Sequence, residues 1–301
     1  MTSEARRYLK AGAISALLLG IVLWVADLPA IDLSALRPAY LIPTLLAYGA
    51  VLVLRGAALR AMAPAPAHDL PLGRWITLAA RHQLVFILAP SGSGDLAFPL
   101  LAGRMTGLTT SAATRLIAEA RVRDMLVVLG LGAAGLVGAG LAPPFVLLGT
   151  ALAAAALYRA DLSVTLIAAL LRKLRRAPPP PPATGPAIRT RVLPVLLPIL
   201  LWLFASGGIM AGFRAAGHPL SLSEAWVMLA GLNIAGALAL SVAGLGVAEA
   251  GAAGVLTLLG LPLAEATGIA LIARPILLLS NAAASALIEG IARIGDLSAD
   301  A

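Results

Sequence analysis

The chain of 301 residues contains no cysteine, which excludes disulfide bridges, thiolate nucleophiles and Cys-ligated metals together. Charge is scarce as well. Asp, Glu, Lys and Arg make up 12% of the residues, about half the share that a water-soluble domain carries. The three histidines, His68, His82 and His218, lack the spacing of a metal site, so neither a metal nor a cofactor is expected. No Walker lysine motif occurs, and ATP-driven work within this chain has no support.

Apolar residues fill the space that these absences leave. The chain is 60% hydrophobic with a mean hydropathy of +0.96, against about 45–50% apolar in a soluble domain. Its 30 glycines and 21 prolines are scattered, which fits neither collagen nor a disordered chain. The class is a polytopic, all-α membrane protein. Net charge is +8, but in a membrane protein the position of Lys and Arg matters more than their sum, so no nucleic-acid partner is inferred.

Apolar stretches run over 11–28, 39–54, 124–141, 144–158, 192–213, 225–243 and 275–294. The first follows Arg6, Arg7 and Lys10 without an A-x-A cleavage site, which reads as a retained signal anchor. The stretch 75–104 differs, because Arg81, His82 and Gln83 sit inside it and 89–95 (APSGSGD) then breaks it. Backbone freed by Pro and Gly at membrane depth must be buried in protein or line a wet cavity. A re-entrant helical hairpin is therefore expected here.

A self-match at an offset of 153 links 107–121 (GLTTSAATRLIAEAR) to 260–274 (GLPLAEATGIALIAR). The identical pairs are Gly107/Gly260, Leu108/Leu261, Ala113/Ala266, Thr114/Thr267, Ala120/Ala273 and Arg121/Arg274. Upstream, Gly92-Ser93-Gly94 answers Gly244-Leu245-Gly246, each followed by an acid, Asp95 or Glu249. Trp75 and Trp226 open the helices that precede them. An odd number of crossings between the copies inverts the second. The expected architecture is thus about six transmembrane helices plus two re-entrant hairpins in an inverted repeat, with repeat one at 39–141 and repeat two at 192–294. Asp95 and Glu249 should meet near the midplane. The region 142–191 connects the copies through a surface helix at 162–171, a basic cluster and a polyproline run at 178–182. With both termini cytoplasmic, only Arg37, Arg214 and Arg274 of the 22 basic residues fall outside, as the positive-inside rule requires.

An ionised group at bilayer depth costs at least about 2.5–3.5 kcal/mol and needs a partner or a wet cavity. The substrate-binding candidates are His82, Asp95, Arg121, Asp124, Asn233, Glu249 and Arg274, with Arg81, Glu119, Arg123 and Glu289 as further intramembrane charges. Spacing puts Arg121 on one helical face with Asp124, and Arg115 with Glu119. The alternative is that these charges only lock the hairpins into the bundle. Gly208 and Gly212 form a small-xxx-small pair for close helix packing. The fragment 92–97 formally matches G-x-G-x-x-A, but no strand precedes it.

At these residues the chain resembles the transmembrane region of lysylphosphatidylglycerol synthases and its stand-alone, flippase-like relatives, a hopanoid-cluster branch among them. The first landmark is the Pro-x-x-Gly-acid turn ending at Asp95, then Gly107-Leu108 and the Arg-x-x-Asp of Arg121 and Asp124. The second is Gly-x-Gly-x-x-Glu, from Gly244 to Glu249, then Arg274. Asp95 departs from the usual Glu, Phe98 from a position often basic, and Ala120 from one where an acid is common. The resemblance implies a lipid flippase or transporter of the bacterial inner membrane, with no room for an aminoacyl-transferase domain and no enzymatic activity. Its expected partners are membrane lipids, anionic or prenyl-type, and a lipid-biosynthesis enzyme. Two alternatives stand beside it: a non-catalytic scaffold or lipid-binding partner of a lipid pathway, and an intramembrane hydrolase using Ser93 or a carboxylate.

Overall fold

The structure, a computed structural model, describes residues 20, 33–88, 93–158, 192–238 and 246–299. Among these residues there are nine α-helices and no strand: α1 (Leu41–Met62), α2 (Leu72–Leu88), α3 (Ser93–Thr106), α4 (Thr110–Gly138), α5 (Leu147–Tyr158), α6 (Val192–Ala215), α7 (Leu222–Leu238), α8 (Val247–Leu258) and α9 (Leu263–Ala299). The apolar stretch at 11–28, the surface helix at 162–171 with its basic cluster, the run at 178–182 and the innermost residues of both Gly-rich bends lie outside the described residues.

Among the described residues three segments are long and apolar enough to cross a membrane: Pro38–Met62, Val192–Ala215 and Leu263–Ile294. The expected spans at 124–141 and 275–294 are not separate units. Each is the second half of a longer helix, α4 or α9, that starts within the repeated motif. Charged residues and Pro275 read as boundaries in the sequence, yet the helices run through them. The expected span at 144–158 yields α5, of which 147–158 lie among the described residues.

Helix order repeats. The starts of α1, α2, α3 and α4 recur in α6, α7, α8 and α9 at offsets of 150 to 154 residues. The residues shared by the two motifs do the same jobs in both. Gly107 and Gly260 take left-handed φ values of 73° and 101°, which only glycine adopts without strain, and so end α3 and α8. After α8 the Leu261 and Gly260 amides bond back to the Leu256 and Thr257 carbonyls at 3.1 and 3.0 Å, a Schellman closure. Thr114 and Thr267 each donate to the carbonyl four residues earlier. Ala113, Ala266, Ala120 and Ala273 are all buried at helix contacts.

Packing follows the same symmetry. Each pairing has its counterpart: α1 with α2 and α6 with α7, α2 with α3 and α7 with α8, α3 with α4 and α8 with α9, α4 with α7 and α9 with α2. The equivalent helices α1 and α6 pack on each other and run antiparallel. Gly208 faces Ala47 and Tyr48, Gly212 faces Thr44, the Arg214 guanidinium lies 5.2 Å from the Tyr40 ring centre, and the Arg37 amide donates to the Ala215 carbonyl at 2.8 Å. Numbers rise along one helix as they fall along the other, so the second unit is turned over relative to the first. Leu59, Trp75, Leu78, Phe98 and Leu116 form a core within the first unit, whereas the core around Ile209, Phe213, Met228, Leu256 and Leu277 also takes in Val128 of α4.

The α4–α7 seam is built on glycine. A Cβ at Gly132 would stand 2.6 Å from Ala230 Cβ, one at Gly135 2.7 Å from the Ser223 carbonyl, and one at Gly138 3.0 Å from Ser223 Cβ. Helices approach this closely only where side chains are small. Gly135→Val should therefore lower stability by about 1–3 kcal/mol. Gly268→Ala, in open space within α9, should raise it by about 0.5–1 kcal/mol. Thermal unfolding in detergent reads both.

Candidate functional site

The polar centre is assembled around repeat one. α2 carries His82, α3 has Asp95 in its first turn, and α4 carries Arg121 and Asp124 one turn apart. A carboxylate suits the first turn of α3, where helix amide dipoles favour negative charge. The Arg121 guanidinium grips Asp95 through Nε to Oδ2 at 2.9 Å and Nη2 to Oδ1 at 2.6 Å, and it lies 5.1 Å from the Phe86 ring centre. Asp124 is held from two other helices. Arg55 of α1 donates through Nη1 to Oδ2 at 2.5 Å, and Trp202 of α6 donates through Nε1 to Oδ1 at 3.0 Å.

Arg121 Nη1 also stands 3.8 Å from Asp124 Oδ2, so the pairs join into one chain: Arg55, Asp124, Arg121, Asp95. Its two positive and two negative charges cancel. Side-chain accessibility is lowest at Asp124, 6% beside 18% for Arg55, and highest at Arg121 and Asp95, 38% and 33%. The chain is closed at Asp124 and open at Asp95. His82 flanks the open end while remaining 5% exposed. Its ring packs edge-on to Phe98 at 5.1 Å, and Nε2 lies 3.2 Å from Asp95 Oδ1 but off the line that a hydrogen bond needs, with no other partner.

A second ionic group occupies another face of α4. Arg123 donates through Nη2 to Glu119 Oε1 at 2.7 Å and through Nη1 to the Pro194 carbonyl at 3.3 Å. That carbonyl is spare because Pro198, four residues on within α6, has no N–H to donate. Glu119 therefore turns to Arg123 and not to Arg115, the partner expected from spacing. Arg81 of α2 bonds Glu289 of α9 at 2.7 Å, and Arg293 bonds the same carboxylate at 3.0 Å.

Four of the seven sequence candidates thus come together: His82, Asp95, Arg121 and Asp124. Glu249 and Asn233 do not join them. Glu249 is 2% exposed, and its Oε2 accepts the Gly246 amide at 2.6 Å, which closes the start of α8. Among the described residues no hydrogen bond or ion pair links it to Asp95, since a carboxylate three residues into a helix is taken by its own orphan amide. Asn233 donates to the Leu229 carbonyl at 2.8 Å. Arg274 of α9 lies within electrostatic range of Tyr48 on α1. Arg55, Trp202 and Phe86 escaped the sequence reading. Arg55 was legible as a charge at the edge of an apolar stretch; Trp202 carried no local signal.

Comparison with known families finds a match over residues 10–284 to the family described as Lysylphosphatidylglycerol synthase TM region. No curated protein and no solved structure matches the chain.

The Arg123 group gives a direct test of structural charge. Arg123 and Glu119 are 5% and 16% exposed, and removing one partner of such a pair leaves the other uncompensated. Arg123→Met should cost about 3 kcal/mol, and adding Glu119→Gln should recover a large part of the loss. Paired thermal unfolding curves check this.

Proposed function

The chain belongs to the lysylphosphatidylglycerol synthase TM-region family, and on that premise we propose that it moves a lipid or lipid-linked headgroup between the leaflets of the bacterial inner membrane. Family membership and the apolar helices make it an integral membrane protein associated with membrane lipids. The observation that carries the further step is the neutral ionic chain from Arg55 to Asp95, most enclosed at Asp124 and most accessible at Arg121 and Asp95. A charged headgroup entering apolar surroundings needs compensating charge, and Arg121 with Asp95 offers both signs where access exists. The acyl chains would remain in lipid while the headgroup follows the groove.

In this reading the pairs α2/α3 and α7/α8 are re-entrant hairpins. They enter from opposite faces, because the helices α1 and α6 that precede them run antiparallel. Six crossings, including the stretch at 11–28, put both termini in the cytoplasm, in keeping with the distribution of Arg and Lys. The region 142–191 joins the two copies. No catalytic group is assigned. A second reading, a non-catalytic lipid-binding partner of a biosynthetic enzyme, draws on the same ionic chain being fully paired without a ligand, as a structural lock would be.

Reconstitution separates the two. Liposomes containing the protein should exchange a fluorescent anionic lipid between leaflets about tenfold or more faster than protein-free vesicles, equivalent to about 1.4 kcal/mol or more of barrier. Arg121→Gln should return exchange to background in protein that still elutes as a folded, monodisperse species, although loss of the Asp95 pair also lowers its unfolding temperature. Exchange at the protein-free rate across a panel of anionic and prenyl lipids removes the transport reading and leaves the partner role.

A further inference from the structure

The open end of the ionic chain holds a group that the proposed route does not use. His82 is buried, its Nε2 has no hydrogen-bond partner, and that nitrogen lies 3.2 Å from the same Asp95 oxygen that Arg121 Nη2 contacts at 2.6 Å. Two nitrogens thus face Asp95, one bonded to it and one beside it without a hydrogen bond. Around His82, α3 presents Asp95, α1 presents Arg55 and α4 presents Arg121, whose Nη1 is 3.8 Å from Asp124. α9, which packs on α2, carries Glu289, and Arg81 and Arg293 hold that carboxylate.

The charge balance has a consequence for any anion that arrives. Arg121 is the more accessible of the two arginines in the chain, and its stacking on Phe86 leaves a planar fork suited to phosphate oxygens. An anionic phosphate bound there must displace Asp95 from the guanidinium. The assembly would then carry one uncompensated negative charge in an apolar site, which is disfavoured. One added positive charge beside Asp95 restores neutrality, and protonated His82 supplies it with only a small change of alignment. We infer that His82 couples the capture of a phosphate-bearing anion on Arg121 to the uptake of one proton, a step that rests on reading the Asp95–Arg121 groove as the headgroup route. Asp95 passes from Arg121 to His82 as the anion binds and returns as it leaves. A proton gradient across the membrane then biases the direction of movement.

Calorimetry on the full chain in detergent tests this. Short-chain phosphatidylglycerol is titrated in two buffers of different ionisation enthalpy, with glycerol phosphate as the second probe. The expected result is uptake of about one proton per lipid, with Kd rising about tenfold per pH unit above neutrality. His82→Gln should bind more weakly and take up no proton. Asp95→Asn frees Arg121 and should bind the anion without pH dependence. Equal proton uptake with glycerol phosphate makes a free phosphate sufficient; uptake with phosphatidylglycerol alone makes the lipid the ligand. Binding with no proton uptake, uptake that survives His82→Gln, or no binding of either probe overturns the inference. Proton-linked binding without leaflet exchange in liposomes would remove the transport reading and leave this one standing; leaflet exchange without proton uptake would do the reverse.

Discussion

A carboxylate enclosed by apolar helices is tolerated only with opposite charge and hydrogen-bond donors against it, and Asp124 imposes that condition on most of the bundle. It sits midway along α4, and its partners come from α1 and α6. Three helices drawn from both repeats are therefore tied at one side chain. Arg121, one turn earlier, extends the tie to α3 through Asp95. The short helix α3 has no membrane-length apolar segment of its own, and this ion pair, with Phe98 and Ala102 in the core beneath it, fixes where it lies.

The fold class was legible because composition alone excludes a soluble chain, and the duplication was legible because its shared residues answer backbone needs. Gly107 and Gly260 turn left-handed, and the paired alanines fit where helices touch. Helix limits were read less well. The charges in the first half of α4 and Pro275 in α9 looked like ends of spans, but neighbouring helices satisfy them within continuous helices. At the site, the pairings within α4's reach were partly visible by spacing. Those that decide the geometry span 69 residues for Arg55 and Asp124 and 78 for Trp202 and Asp124, distances at which a single sequence carries no register. Glu249 shows the opposite case. Its position three residues after Gly246 is itself a signal for a helix cap, which stands beside the reading of Glu249 as a substrate-binding acid.

The symmetry belongs to the backbone and not to the chemistry. The equivalent seams α2–α9 and α4–α7 are closed in different ways, the first with an ion pair between Arg81 and Glu289, the second by glycines stacked at every third residue. The acids that open α3 and α8 diverge in the same way, one reaching across to another helix and one serving its own. A duplicated scaffold has thus been given one ionic half and one half of close contact. The ionic half can rearrange only by exchanging partners, whereas a glycine seam has no bonds to exchange.

Pro198 shows how such a scaffold controls bending. A proline within a long helix leaves a carbonyl without its amide, and that gap commonly serves as a hinge. In α6 the spare oxygen of Pro194 is held by Arg123, and Arg123 is anchored in turn by Glu119. The would-be joint is stapled to α4. The near end of α6 is thereby tied to the middle of α4, and bending at Pro198 would have to give up that bond.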